Sequence, residues 1–314
     1  MQYKRIMNFE EIIIELSFNC NLSCTMCGFG KETNPFNKDK FLSFDKYRTL
    51  LHQIGEKTRI IRLNGRGEST IHPDFVKILN YTKLYFPQLN INLFSNFSFN
   101  NDEIINALIT NGVQLFISMD SPKANELSAI RKGANFQFIE SNIKQLKTLR
   151  NRPFIVFTIQ ETNILRIYEM AQFAFENNCH ILYNTIRRDE GIEPFVDSVK
   201  LNYQTIIEQF KQVRKLYENS NLQYLYPDQL AGIKLKAERQ TKTHGSMKQC
   251  PALDKELCIL HDGTITPCNM FNPYVYGNIF NQSLSEIWES KERNVFLHSH
   301  KCFYYCQNCA NLGV

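Results

Sequence analysis

The sequence predicts an α/β fold built on a parallel sheet, followed by a small cysteine-rich unit. Three observations lead there. Over the first two-thirds of the 314 residues, short apolar runs alternate with helix-period segments through six strands, and such alternation calls for a parallel sheet with right-handed crossovers. A content of 43% hydrophobic residues, including 24 Phe and 14 Tyr, supplies a large core and excludes a disordered chain. From Cys250 onward the composition shifts, and six of the ten cysteines fall there. A partial barrel and a doubly wound sheet both satisfy the alternation.

In order along the chain, EIIIELSF (11–18) reads as a buried strand because it is a short Ile-rich run. Ser43–Ile54 reads as a helix with Ser43 as N-cap. RIIRLN (59–64) is the second strand, and PDFVKILNYTKLY (73–85) a helix with Pro73 in its first turn. NINLFS (90–95) is the third strand, and the helix Asn101–Thr110 stops at Asn111-Gly112. VQLFISMD (113–120), a helix over Phe136–Arg150, PFIVFTIQ (153–160), a helix over Leu165–Asn177 and HILYNTI (180–186) complete the series. Residues 187–200 read as a loop, Tyr203–Glu218 as a helix, and the basic segment 231–248 as a solvated linker. Beyond it, CILHDGTITPC (258–268) reads as a hairpin turning at Asp262-Gly263, and a helix is expected from Ser283 to about Phe296.

No window approaches 18 uninterrupted apolar residues and no apolar signal segment opens the chain, so a cytoplasmic protein without membrane contact is expected. In that compartment ten cysteines do not form a disulfide framework, which leaves metal binding, redox chemistry or core thiols. Cys179, between a helix and a strand, reads as a core thiol. A net charge of +5 is mild, and no recognition motif accompanies it, so no nucleic-acid partner is expected.

Cys20, Cys24 and Cys27 form C-x3-C-x2-C directly after the first strand, where α/β folds place their chemistry. Three thiolates fall one short of a tetrahedral zinc site. They can hold three corners of a [4Fe–4S] cube and leave the fourth iron open to an amine and a carboxylate. A zinc loop with a distant fourth ligand is the alternative. The second strand ends in LNGRGES, where Gly65 and Gly67 permit close backbone approach and Glu68 can accept from an ammonium. The third ends at Ser95 and Asn96, the fourth at Ser118 and Asp120. Singly these are ordinary turn residues. Their placement at successive strand ends aims them at one mouth.

The cysteine loop resembles the signature of the radical S-adenosylmethionine (SAM) superfamily. The resemblance implies a partial (β/α)6 TIM-like barrel over residues 10–190, a linker and helix over 191–245, and a C-terminal unit over 246–314. It implies that Cys20, Cys24 and Cys27 hold a SAM-binding [4Fe–4S] cluster. Met26, where the family usually has an aromatic residue, would pack on the adenine. Gly65, Gly67 and Glu68 would meet the SAM amino group, in a motif that here carries Arg66 between the glycines and Ser69 after the glutamate. Ser95, Asn96, Ser118 and Asp120 would contact the ribose and methionine carboxylate, and Arg131 a carboxylate of SAM or substrate.

In the tail, Cys250 is followed by twelve residues, Gly263, four more residues and Cys268, and the chain closes with Cys302, Cys306 and Cys309. This resembles the SPASM domain and its shortened twitch form, which carry auxiliary iron–sulfur clusters. Six cysteines cannot supply two four-ligand clusters, so one auxiliary [4Fe–4S] cluster is expected, on Cys250, Cys268, Cys306 and Cys309. Cys258 and Cys302 could replace a member or act as a catalytic thiol. Zinc is the alternative metal for this group.

The implied chemistry is reductive cleavage of SAM to a 5′-deoxyadenosyl radical that takes hydrogen from a substrate carbon, with electrons from a low-potential donor such as flavodoxin or ferredoxin. Loss of a further electron would give dehydrogenation or crosslinking, and return of hydrogen from a thiol would give epimerisation. Relatives with twitch-like tails act on sugars and aminocyclitols, and SPASM members often act on ribosomal peptides. The first strand begins near residue 11, which leaves no room before it for a peptide-recognition domain. The expectation is therefore a small polar, sugar- or aminocyclitol-like substrate, with a ribosomal-peptide maturase as the alternative. A non-enzymatic iron–sulfur or zinc protein is the reading from another class.

Overall fold

The computed structural model describes residues 7–29, 38–146, 149, 151–186, 193–227, 229–235, 250, 253–269 and 273–307. Its first half alternates as expected: β1 (Glu11–Ile14), β2 (Ser23–Cys24), α1 (Phe44–Ile54), β3 (Ile60–Leu63), α2 (Phe75–Tyr85), β4 (Asn90–Ser95), α3 (Asp102–Thr110), β5 (Gln114–Ser118), α4 (Ala124–Ile130) and β6 (Arg131–Lys132). It continues through α5 (Phe136–Gln145), β7 (Phe154–Ile159), α6 (Ile167–Glu176), β8 (His180–Thr185), α7 (Glu193–Leu201), α8 (Tyr203–Tyr217), β9 (Tyr224–Leu225), β10 (Gln229–Leu230) and β11 (Ile233–Lys234). The C-terminal part holds β12 (Glu256–Ile259), β13 (Thr264–Thr266), β14 (Gly277–Asn278), α9 (Leu284–Trp288), α10 (Lys291–Ser299) and α11 (Tyr304–Gln307).

The six expected strands lie in the order β1-β3-β4-β5-β7-β8, all parallel. Their two faces differ. Ile12, Ile14, Leu63, Leu93, Ile117, Phe157 and Tyr183 on one face join helix residues such as Leu50, Ile78, Leu108, Ile139 and Met170 in a single core. The residues between them belong to the opposite face: Ile13 packs in a separate small cluster with Cys258 and Leu260. A doubly wound sheet would bury both faces under helices. A core with helices on one side is that of an α/β barrel left open.

The sheet does not stop at the sixth strand. β9 extends it beyond β8, and at the other edge β12 pairs in parallel with β1, matching Ile13 to Cys258 and Ile14 to Ile259. β13 and β14 follow antiparallel, giving ten strands in all. The cysteine-rich unit thus shares the barrel's sheet rather than starting a new one at residue 246.

Helix starts follow their caps. Ser43 accepts from Lys46 N (3.4 Å), Asn101 from Glu103 N (2.9 Å) and Asn135 from Phe138 N (3.1 Å), each satisfying an otherwise orphaned amide. Five expectations are corrected. Residues 193–201 form α7 rather than loop, because Phe195 and Val199 recur on one buried helical stripe. The helix expected from Ser283 to Phe296 is two, because Ser290 caps a fresh start by accepting from Arg293 N (3.1 Å). α2 begins after Asp74, so Pro73 precedes its first turn. The segment expected to be linker from residue 231 opens inside a hairpin, because its β11 pairs back on β10, where Leu230 is buried; residues 236–249 lie outside the described part. α5 ends at Gln145, short of the expected Arg150, and α4, β2 and β6 are too brief to leave a periodic signal. Cys179 is fully buried in the core, as expected. Among the described residues no helix is long and apolar enough to cross a membrane.

Candidate active site

The cysteine loop leaves β1 and is fastened at several points. Leu22 is buried beneath it. β2 pairs antiparallel with β6 so that Cys24 faces Arg131, and Thr25 N donates to Ile130 O (2.9 Å). Cys27 N closes a tight turn on Cys24 O (3.1 Å). The sulfurs sit among donors: Leu22 N to Cys20 Sγ (3.4 Å), Asn96 Nδ2 to Cys20 Sγ (3.9 Å) and Arg131 Nη1 to Cys24 Sγ (4.0 Å). Burial pushes the Cys20 thiol up to about 12, and the Glu68 carboxylate and the neighbouring thiols push the same way. Burial also raises Cys24, against the pull of the Arg131 guanidinium. Such thiols ionise when a cationic metal centre takes the place of the proton. Three thiolates on one loop suit a cube, which places each on a different iron and leaves the fourth open.

Glu68 is the hub beside the loop, buried at 4% exposure after β3. Its Oε1 accepts from Thr70 N (3.1 Å), Thr70 Oγ1 (2.8 Å) and Ser95 Oγ (2.8 Å). Its Oε2 accepts from Asn96 N (2.8 Å). Oε1 is saturated, while Oε2 keeps acceptor capacity. Asn96 also donates to Asn21 Oδ1 (2.8 Å), so the end of β4 is tied to the cysteine loop. The turn that does this is strained: Phe97, fully buried, has φ +57°, where side chains are uncommon. Phe97 N donates to Ser95 Oγ (3.0 Å), Ser98 N to Asn96 Oδ1 (2.9 Å), and Asn142 Nδ2 to Phe97 O (3.2 Å), which together hold it there.

Asp120, beyond the end of β5, is fully buried and pairs with Arg131 Nε at 2.7 Å, while its Oδ1 accepts from Thr158 N (2.7 Å). Burial works against the Arg131 charge, and the Asp120 carboxylate outweighs it. Asp120 therefore stands behind Arg131. Ser118 is half-buried on the same face, two residues earlier, and Met26 is half-buried on the cysteine loop.

A second charged group, unforeseen in the sequence, lies at the same end of the sheet. Glu15 continues β1 and is fully buried. It accepts from Arg66 N (2.9 Å), Arg66 Nε (2.9 Å) and Arg66 Nη2 (2.7 Å), and from His261 Nδ1 (2.8 Å). Burial opposes its ionisation, but the hydrogen bonds from Arg66 and His261 prevail and hold the carboxyl at about 2. The Phe18 ring completes the group, with the Arg66 guanidinium 4.2 Å from its centroid and the His261 ring stacked at 5.9 Å. The visible signal was a lone glutamate inside the apolar run EIIIELSF, a residue that is almost never buried without a partner.

In the C-terminal unit, Cys250 and Cys268 both lie close enough to Tyr276 for their charge to bear on its hydroxyl, whose pKa burial raises. Phe303, three residues before Cys306, packs against Tyr274 (5.2 Å) and Phe296 (5.8 Å), and Phe296 packs against Tyr276 (5.7 Å). One aromatic cluster thus gathers the segments bearing Cys250, Cys268 and Cys306. Cys302 is exposed, and Cys309 lies outside the described residues. Cys258 is elsewhere, in β12 against Ile13 on the inner face.

Residues 14–174 match the Radical SAM superfamily, and residues 250–310 match an iron-sulfur cluster-binding domain, SPASM. Over 328 residues the chain is 24% identical to a tungsten-containing aldehyde ferredoxin oxidoreductase cofactor-modifying protein of Pyrococcus furiosus, covering 95% of this chain and 86% of that one. It is 26% identical over 297 residues to an AdoMet-dependent heme synthase of Methanosarcina barkeri, covering 88% and 81%. Among solved structures, Streptococcus suis SuiB bound to SAM superposes with a TM-score of 0.71 at 16% identity, over 98% of this chain and 72% of that one. SuiB is also solved with its precursor peptide SuiA, at a TM-score of 0.66, 15% identity and coverages of 98% and 71%. The chain belongs to the radical SAM superfamily, whose members use SAM at a [4Fe–4S] cluster, and it carries a SPASM-type auxiliary iron–sulfur domain behind that core.

Proposed function

We propose that this radical SAM enzyme removes a hydrogen atom from an unactivated carbon of a small polar, sugar- or aminocyclitol-like substrate, ending in epimerisation or dehydrogenation. The observation that carries the reading is the cysteine loop tied through Cys24 and Arg131 to Asp120, and through Asn19, Asn21 and Asn96 to Glu68. When bound, its cluster supplies the electron that cleaves SAM to a 5′-deoxyadenosyl radical.

The chain's own residues then have distinct tasks. Cys20, Cys24 and Cys27 hold the cluster. Glu68 Oε2 receives the SAM ammonium, Gly65 and Gly67 let the turn that bears Glu68 pack against Glu15 and the cysteine loop rather than against the ligand, and Met26 covers the adenine. Ser95 and Asn96 brace Glu68 from behind. Arg131, braced by Asp120, meets a carboxylate. Cys250, Cys268, Cys306 and Cys309 hold one auxiliary cluster, and flavodoxin or ferredoxin supplies electrons. Residues 10–190, 191–245 and 246–314 divide these tasks between core, connector and auxiliary unit.

The inner face supports a polar ring as substrate. Ser118, Thr158 and Asn184 offer hydroxyl and amide groups near the strand ends, while Phe94, Phe116 and Phe154 stack across neighbouring strands at 4.3 and 5.1 Å. A ring that is polar at its edge and apolar on its face suits both. Both sequence relatives are named for work on small molecules, a cofactor and heme. Cys258 is the favoured hydrogen donor over exposed Cys302. It lies on the inner face, and burial pushes its thiol up to about 12, so it keeps the hydrogen that epimerisation needs. The likeness to SuiB with its precursor peptide favours a second reading, a peptide maturase.

Anaerobically reconstituted protein is expected to bind about eight irons, two cubes' worth, and to release 5′-deoxyadenosine from SAM and dithionite. Replacing Cys20, Cys24 and Cys27 together by Ala should abolish that release; a triple variant that still cleaves SAM refutes the assignment. With a substrate in hand, solvent deuterium retained at carbon marks epimerisation, and its absence with loss of the mass of two hydrogens marks dehydrogenation.

A further inference from the structure

We infer that His261 is a positioning residue for the SAM-binding turn, through which the C-terminal hairpin sets the geometry of the Gly65–Glu68 segment in the barrel. The inference rests on SAM lying against that turn and goes beyond it by assigning control of the turn to a residue of the auxiliary unit.

Topology makes the contact. β12 runs parallel to β1 in register, so the residues that follow both strands emerge side by side: Glu15 N donates to Ile259 O (2.9 Å), and His261 N points at Glu15 Oε1 (3.4 Å). The Glu15 carboxylate in turn governs the turn. It takes hydrogen bonds from both the backbone N–H and the guanidinium of Arg66, the residue between the two glycines. It also lies directly under the turn, since a Cβ on Gly65 would strike the Glu15 side chain. A Cβ on Gly67 would strike the backbone of Phe18 and Asn19 in the cysteine loop, and Glu68 N donates to Asn19 O (2.8 Å). The turn is thus wedged between Glu15 and the loop that carries the cysteines.

His261 bears on both sides of this wedge. Its Nδ1 donates to Glu15 Oε1 at 2.8 Å, because an ionised carboxylate only accepts. Its ring stacks on Phe18, two residues before Cys20, on which Arg66 also rests. Remove the donor, and a buried carboxylate loses a short hydrogen bond while its remaining side-chain partner, Arg66, is part of the turn. The carboxylate then settles where Arg66 and water leave it, and the turn moves with it.

The test is SAM affinity of the reconstituted holoenzyme, measured by anaerobic equilibrium dialysis beside iron content and melting temperature. His261→Phe keeps the ring on Phe18 and loses the donor to Glu15. It is expected to keep its iron and to bind SAM about tenfold more weakly, about 1.4 kcal/mol. His261→Asn, whose Nδ2 sits on Cγ as the ring Nδ1 does and can still donate to Oε1, is expected to stay within about twofold of the natural protein. Equal SAM affinity of H261F and H261N overturns the inference, as does a fall in melting temperature without any change in affinity. If H261F fails to load iron, H261L replaces it, since it too lacks the donor. Glu68→Gln separates the two readings: weakened binding in E68Q with none in H261F defeats the inference alone, and unchanged binding in E68Q defeats the placement of SAM.

Discussion

At Glu15 a carboxylate stays ionised with none of its surface in water, because Arg66 and His261 surround it. Its folded value of about 2 against an ordinary 4.5 sets a sign. The group binds its proton more weakly folded than unfolded, so its contribution is fully present above about pH 4.5 and is lost as pH falls towards 2. The size is on the order of 3 kcal/mol. Urea titrations of the metal-free protein at a series of pH values are expected to show this loss, and Glu15→Gln should lower stability near neutrality while flattening the acid limb. An acid limb identical in E15Q would remove Glu15 as its source. The cysteine loop was legible because its three cysteines lie within eight residues of sequence, as C-x3-C-x2-C. The Glu15 group was not: Arg66 lies 51 residues from Glu15, and His261 lies 246 away. Only the sheet order brings them together.

At the scale of elements, the hairpin that delivers His261 depends on one glycine. Gly263 has φ +88°, and a Cβ there would run into Phe280 and Asn278. Gly263→Ala is expected to cost about 2–3 kcal/mol, read as a lower denaturation midpoint; a loss under about 0.5 kcal/mol, the range of inert surface changes, would contradict this account. The Asp262-Gly263 turn was visible in the sequence because hairpin turns of this kind demand φ > 0. Strands were visible for a similar reason, since Ile-rich runs bury well in a parallel sheet. Elements decided by a single cap or a brief pairing were not. Ser290 looks like any serine until it accepts from Arg293 N, and the two-residue strand at Cys24 exists only because Arg131 lies opposite.

Across the whole molecule, the sequence suggested a barrel core followed by a separate cysteine-rich unit, and the structure welds the two through β12 and β1. Composition marks a change of chemistry, and strand pairing ignores it. A chain ended at residue 245 would leave β1 paired with β3 alone, exposing the edge that β12 covers, and take the His261 donor from Glu15. Such a fragment is expected to aggregate or melt without cooperativity, by size-exclusion chromatography and near-ultraviolet circular dichroism. A monomeric fragment with a sharp transition would show that the core stands alone.

The same pairing has a consequence for biosynthesis. Glu15 and His261 are 246 residues apart, and at ordinary translation speeds their meeting is delayed by about 12 to 50 s. Throughout that interval the edge of the first strand is bare on the ribosome, open to the late hairpin of a neighbouring nascent copy. Slower initiation or a holding chaperone therefore favours the correct partner.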